Sequence, residues 1–153
     1  MEGYMKALGK ELAYVSQACA HKKLTSVYVG GGTPTALTED CLKLLMEQIH
    51  RFFPVEEARE FTVEAGRPDS VTAGKLRTLY DAGVGRISIN PQTMHDETLR
   101  LIGRNHTVEQ VKEAYRLARE IGFDNINMDM ITGLPGEDIS HVKETLETIF
   151  RMK

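Results

Sequence analysis

The chain has 153 residues, 41% of them hydrophobic and 27% charged, and its 19 Lys and Arg against 22 Asp and Glu give a net charge of −3. That is enough to bury a core, with no basic excess to follow a nucleic-acid backbone and no apolar run near the roughly 20 residues that cross a bilayer. Glu2, Lys6, Lys10 and Glu11 make the opening unlike a signal peptide, and two cysteines, Cys19 and Cys41, form neither a disulfide framework nor a C-x-x-C pair, so a reducing cytoplasm is the expected home.

Leu8, Leu12, Val15 and Cys19 make one stripe of a first helix expected to end near His21. Ser26 to Val29 is a β-branched and aromatic run that stops at Gly30-Gly31-Gly32. Thr38 is placed to cap a second helix carrying Leu42, Leu45, Met46 and Ile49 and closed by Pro54. A strand from Glu60 to Glu64 leads into Gly66-Arg67-Pro68-Asp69, then a helix with Leu76, Leu79 and Tyr80 that Gly83 stops. Arg86 to Asn90 is the third strand, broken by Pro91, and a short helix follows near Glu97 to Ile102. Thr107 and Gln110 have capping-box spacing and open a helix with Val111, Ala114, Ala118 and Ile121, ended by Gly122. Asn125 to Ile131 is the fourth strand, Gly133, Pro135 and Gly136 form its exit, and Ser140 is expected to cap a last helix with Val142, Leu146, Ile149 and Phe150.

Strand–helix repetition of this kind predicts an α/β fold with a parallel sheet. Strands covered by helices on both faces should read as continuous apolar runs. Here Phe61 and Val63 alternate with Thr62 and Glu64, Ile87 and Ile89 with Arg86, Ser88 and Asn90, and Ile126, Met128 and Met130 with Asn127, Asp129 and Ile131. A solvated face would give that pattern. The interior of a β/α barrel around a polar ligand accounts for it better, because the polar groups gather toward the strand C-termini, where barrel active sites form. About four strands cannot close a barrel, so the whole chain, 1–153, reads as one partial barrel domain.

Gly30-Gly31-Gly32-Thr33-Pro34 follows a strand and lets a ligand approach the backbone, although a plain tight turn would look the same. It is neither a P-loop nor G-x-G-x-x-G, since Thr35 stands where the last glycine would be. Glu64 at a strand end suits an ammonium or ribose hydroxyls, or caps a neighbouring loop. Gln92, after Asn90-Pro91, can both donate and accept. Asp129 between Met128 and Met130 needs a partner, either a ligand or a structural ion pair with Arg104 or Arg86. Arg104, beside His106, could clamp a carboxylate. His21, His50, His95, His106 and His141 show no metal spacing. Met46, Met128 and Met130 read as core filler, and Cys19 and Cys41 as buried thiols.

Four stretches, Val29 to Thr35, Val63 to Asp69, Ile89 to Thr93 and Asn127 to Gly136, together resemble the radical S-adenosylmethionine enzymes of the oxygen-independent coproporphyrinogen III oxidase group. The Glu-Ala-Gly-Arg-Pro and Asn-Pro-Gln wording is most similar to the coproporphyrinogen dehydrogenase branch of Gram-positive anaerobes. The resemblance runs from about Tyr4 to the C-terminus. It implies that Gly31, Gly32 and Thr33 contact the methionine part of S-adenosylmethionine, that Glu64, Gln92, Arg104 and Asp129 bind the same cofactor, and that Ile131 lines the pocket.

The resemblance also implies a [4Fe–4S] cluster held by a C-x3-C-x2-C loop, which this sequence lacks, so the chain is expected to be a catalytically silent fragment of a longer enzyme. The parent's expected reaction is the oxidative decarboxylation of coproporphyrinogen III to protoporphyrinogen IX. Heme-binding chaperones carry the same motifs, and a cluster-free S-adenosylmethionine-binding module is a third possibility. Unclosed sheet edges lead to the further expectation that the chain self-associates.

Overall fold

The computed structural model describes residues 1–20 and 22–152. Its elements are α1 (Glu2–Ala18), β1 (Ser26–Val29), α2 (Glu39–Phe52), β2 (Glu60–Glu64), α3 (Ala73–Asp81), β3 (Arg86–Ser88), α4 (Asp96–Leu101), α5 (Val108–Ile121), β4 (Asn125–Asn127) and α6 (Ile139–Arg151). The strands are parallel, in the order β1-β2-β3-β4. Each strand therefore lies beside its predecessor, as in a barrel wall.

Register turns the alternation of the sequence into two chemically different faces. Val29, Val63, Ile87 and Ile126 stand in one row across the sheet. That row packs with Leu42, Leu45, Met46 and Ile49 of α2, Leu76 and Leu79 of α3, and Ala114 and Ala118 of α5. The opposite face carries Tyr28, Glu60, Thr62, Glu64, Arg86, Ser88, Asn127 and Asp129. Thr62 and Ser88 are buried there despite being polar, each with a hydrogen-bond partner.

The helix starts are chemically explicit. The Thr38, Thr72 and Thr107 hydroxyls accept from backbone amides in the first turns of α2, α3 and α5, and Thr107 with Gln110 completes a capping box. Gly122 ends α5 at φ 119°, a conformation that glycine alone adopts without strain.

Several expectations need correction. The first helix ends at Ala18, before His21, which lies outside the described residues. Cys19 is exposed and Cys41 half-buried, because the α1 stripe meets the core mainly through Met5, Leu8 and Leu12. Strand β3 stops at Ser88 and β4 at Asn127, not at Asn90 and Ile131. Beyond those points Ile89 N–H donates to the Asn127 carbonyl at 2.8 Å, and the two segments meet again in the bridge between Gln92 and Met130. The short helix begins one residue earlier than expected. Helix α6 is capped by Asp138 instead of Ser140, since the Asp138 carboxylate accepts from the amides of both Ser140 and His141. Leu146 and Phe150 of α6 remain exposed, and Met128 and Met130 are only half-buried. Among the described residues, no helix is long and apolar enough to cross a membrane.

Candidate functional site

The polar face of the sheet ends in a set of loops at the C-terminal ends of the strands. Leaving β1, the chain turns through Gly31 at φ 102°, a left-handed value that disfavours any side chain. Gly31 and Gly32 are exposed and Thr33 is half-buried. Gly30 contributes differently: a Cβ there would lie 2.6 Å from a Tyr28 ring carbon and 2.9 Å from the Glu64 carboxyl carbon, so those side chains would have to shift. Its bare backbone lets Tyr28 and Glu64 close over it, and the Tyr28 hydroxyl donates to Glu64 Oε1 at 2.5 Å. That bond, some burial, and the negative charges of Glu64 and Asp129 push the Tyr28 phenol up to about 12.

Gln92 lies just beyond β3 and has φ 67°, the one non-glycine residue with positive φ among those described. This strained conformation is fixed from both sides: its N–H donates to the Asp129 carbonyl at 3.1 Å, and its carbonyl accepts from Ile131 N–H at 2.8 Å. Gln92, Asp129 and Ile131 are thus held in one backbone unit. The Asp129 side chain is exposed and accepts from Asn127 Nδ2 at 2.8 Å. Neither ion pair considered for it forms, because Arg86 instead meets Glu60 at 3.3 Å and Asn127 Oδ1 at 3.0 Å. Ile131 is 40% exposed beside it.

Arg104 occupies the connection between α4 and α5, half-buried, with its amide bonded to the Leu99 carbonyl. It makes no ion pair among the described residues. Its neighbour His106 is buried and donates through Nε2 to the Pro91 carbonyl at 3.3 Å, so the Arg104 loop is tied to the turn that sets up Gln92. Burial pulls the His106 pKa down and favours the neutral ring. The site therefore has two organised parts, Gly30 with Tyr28 and Glu64, and Gln92 with Asp129 and Ile131, and the Arg104 loop is tied to the second through His106 and Pro91.

With this geometry, the family comparison has a structural counterpart. The model of the radical SAM superfamily matches residues 7–149. The chain belongs to that superfamily. Within it, the relatives fall in the coproporphyrinogen III oxidase-like group. The chain is 52% identical over 81% of its length to the oxygen-independent coproporphyrinogen-III oxidase-like protein HemZ of Bacillus subtilis, covering 25% of that protein. It is 40% identical over 97% of its length to the heme chaperone HemW of the same organism, covering 39% of it. Among solved structures, coproporphyrinogen III oxidase (HemN) from Escherichia coli, described as a radical SAM enzyme, superposes with a TM-score of 0.86 at 28% identity, over 99% of this chain and 35% of that one. The four-stranded sheet is thus part of a radical SAM β/α barrel, and the chain spans about a quarter to two fifths of the length of these relatives.

Radical SAM proteins as a superfamily use S-adenosylmethionine and a [4Fe–4S] cluster. The donor set here fits the first. Two carboxylates suit an ammonium and ribose hydroxyls, a guanidinium suits a carboxylate, and the glycine turn leaves its backbone open to a ligand. The second group does not fit this chain. Among the described residues no three His, Cys, Asp or Glu side chains are arranged to hold a metal, and Cys19 and Cys41 lie at the end of α1 and in the first turn of α2.

Three contributors went unread in the sequence. Tyr28 shares the parity of Glu64 on a neighbouring strand, a signal that alternation offered. Thr93 and Thr145 carried no such signal: Thr93 donates to Glu137, and the buried Thr145 hydroxyl accepts from Met94 N–H at 3.1 Å. Together they pin the segment after Gln92 to the buried side of α6 and to the loop before it, through contacts between residues 44 and 51 apart in the chain.

Proposed function

We propose that the polar end of this sheet binds S-adenosylmethionine, lined by Gly31, Gly32, Thr33, Glu64, Gln92, Arg104, Asp129 and Ile131. The reading rests chiefly on the placement of Glu64 and Asp129 on one face, with the open glycine turn beside them and an arginine within the adjoining loop system. In this reading Glu64 receives ribose hydroxyls or the ammonium, Arg104 meets the amino-acid carboxylate, and Ile131 supplies apolar contact. When bound beside a reduced cluster, S-adenosylmethionine supplies a radical able to remove hydrogen from an unactivated carbon. The residues of this chain contribute binding and orientation.

The longer protein to which such a segment belongs would decarboxylate coproporphyrinogen III oxidatively to protoporphyrinogen IX, a porphyrinogen being its small-molecule partner. Alone, the chain is expected to be inactive for want of cluster ligands. A second reading, heme delivery without radical chemistry, is favoured by the HemW relative, which aligns over 97% of the chain.

Titration of the chain with S-adenosylmethionine tests the site. Weak binding lost in Asp129→Ala is expected, and equal binding by that variant would overturn the pocket assignment. Titration with heme separates the second reading, since tight heme binding that is indifferent to Asp129→Ala would favour a chaperone.

A further inference from the structure

The polar face below the site contains a connected set of hydrogen bonds that the proposed ligand contacts do not use. Thr62 Oγ1 donates to Glu60 Oε1 at 2.7 Å, and Arg86 Nη1 reaches the same oxygen at 3.3 Å. Arg86 Nη2 donates to Asn127 Oδ1 at 3.0 Å. Asn127 Nδ2 in turn donates to Ser88 Oγ at 3.0 Å and to Asp129 Oδ1 at 2.8 Å, while Ser88 Oγ donates to Asn90 Oδ1 at 2.8 Å. A path of polar contacts therefore leads from β2 through β3 to the exposed carboxylate just past β4.

The direction of this path is fixed by chemistry. An arginine can only donate, so the side of the Asn127 amide that faces Arg86 must be its carbonyl. The NH2 group is then turned the other way, where it meets the acceptor-only carboxylate of Asp129. A flipped amide would set NH2 against guanidinium and carbonyl against carboxylate, losing both bonds. Arg86 is itself held by Glu60, which is braced by Thr62.

We infer that Asn127 is a positioning residue for Asp129, with its amide oriented by Arg86 so that it holds one carboxylate oxygen and leaves the other free for a ligand. This rests on the proposed S-adenosylmethionine site. Its consequence is that the aim of Asp129 depends on residues that touch no ligand. Prior fixing of that side chain lowers the cost of ordering it on binding.

Asn127→Asp separates positioning from mere structural support. The variant keeps the size of the side chain and its acceptor toward Arg86, so its thermal midpoint should stay within a few degrees of the unaltered chain. It replaces the donor facing Asp129 with a second carboxylate. The added negative charge alone would draw the sulfonium cation more strongly. An affinity for S-adenosylmethionine that falls about tenfold, as loss of one charge-assisted hydrogen bond predicts, therefore reports lost orientation. Equal or tighter binding by Asn127→Asp overturns the inference. If Asp129→Ala binds as well as the unaltered chain, or neither binds, the site reading has failed and a ligand-free measurement decides the positioning. In that measurement, the Asn127 side-chain amide resonances of the unaltered chain should shift for one of the two protons on Asp129→Ala. Unmoved resonances overturn the inference whatever the binding result, and they decide equally should Asn127→Asp fail to fold.

Discussion

At the scale of single residues, the site shows how an ordinary side chain acquires an unusual state from its neighbours. Tyr28 is 58% exposed, yet its hydroxyl is committed to Glu64. Because its folded-state pKa of about 12 lies above the unfolded value near ~10, the contribution of this bond is whole below about pH 10 and disappears as pH rises toward 12. Alkaline titration of tyrosinate absorbance should show one phenol ionising near pH 12, absent in Tyr28→Phe. In Glu64→Gln that ionisation should fall toward the free phenol value, and an unmoved ionisation there would mean that Glu64 is not the cause. The sequence displayed Glu64 as a strand-end carboxylate and left its partner open between ligand and loop. A tyrosine in a β-rich run is ordinary on its own terms; alternation gives Tyr28 the parity of Glu64, and the cross-strand register makes the two partners.

At the scale of elements, helix starts were the most legible features, since a cap is local chemistry between residues three apart. Thr107 with Gln110 is the clearest, and Thr107→Ala should cost about 1 kcal/mol in denaturant unfolding, with no change in the slope of the transition. The cap of α6 stands two residues before Ser140, because Ser140 and Asp138 are both good caps and the choice depends on which backbone amides the carboxylate reaches. Its chemistry makes the start pH-sensitive. Hydrogen bonds from Ser140 and His141 hold the Asp138 carboxyl well below the usual range, and Asp138 raises the His141 imidazole. The aspartate share of this stability is present above the unfolded value near ~4 and lost as pH falls below it; the histidine share is present below ~6.5 and lost as pH rises through the raised value. Asp138→Asn keeps a competent cap but removes the charge. Its deficit in thermal midpoint should be largest near pH 5 to 6 and smaller by pH 8, and a deficit independent of pH would rule out the ion pair. Strand ends were the least legible, because β3 and β4 stop at Ser88 and Asn127 and rejoin only at Gln92, whose φ of 67° is held by backbone bonds to Asp129 and Ile131 that lie about forty residues away in the chain.

At the scale of the molecule, the alternation visible in the sequence matters most, because it divides the sheet into a face that helices cover and a face built for polar groups. The outer faces of β2 and β3 lie in the core, with Val63 and Ile87 fully buried. That much follows from period-two patterning. The same patterning puts Glu64 and Asp129 on the polar side, but which strands neighbour one another, and hence how far apart the two carboxylates lie, depends on topology that no local signal encodes. The same topology makes β1 and β4 the edges of the described sheet. Beside the β1 edge runs an apolar groove of about 520 Å3, lined by Leu8 and Leu12 of α1 with Val27, Val29, Leu37 and Phe53. An unpaired edge next to apolar side chains is a template for strand addition. Self-association of the isolated chain through β1 is therefore the expected behaviour, with a molar mass in light scattering that rises with concentration. Ser26 is exposed at the start of that edge, and a lysine there would place a charge in the path of an incoming strand. Ser26→Lys should shift the chain toward monomer at equal concentration, with its thermal midpoint unchanged. A clean monomer at millimolar concentration before any substitution would show that the groove and edge are already sufficiently shielded. Association that survives Ser26→Lys unchanged would direct attention instead to β4 and the polar face.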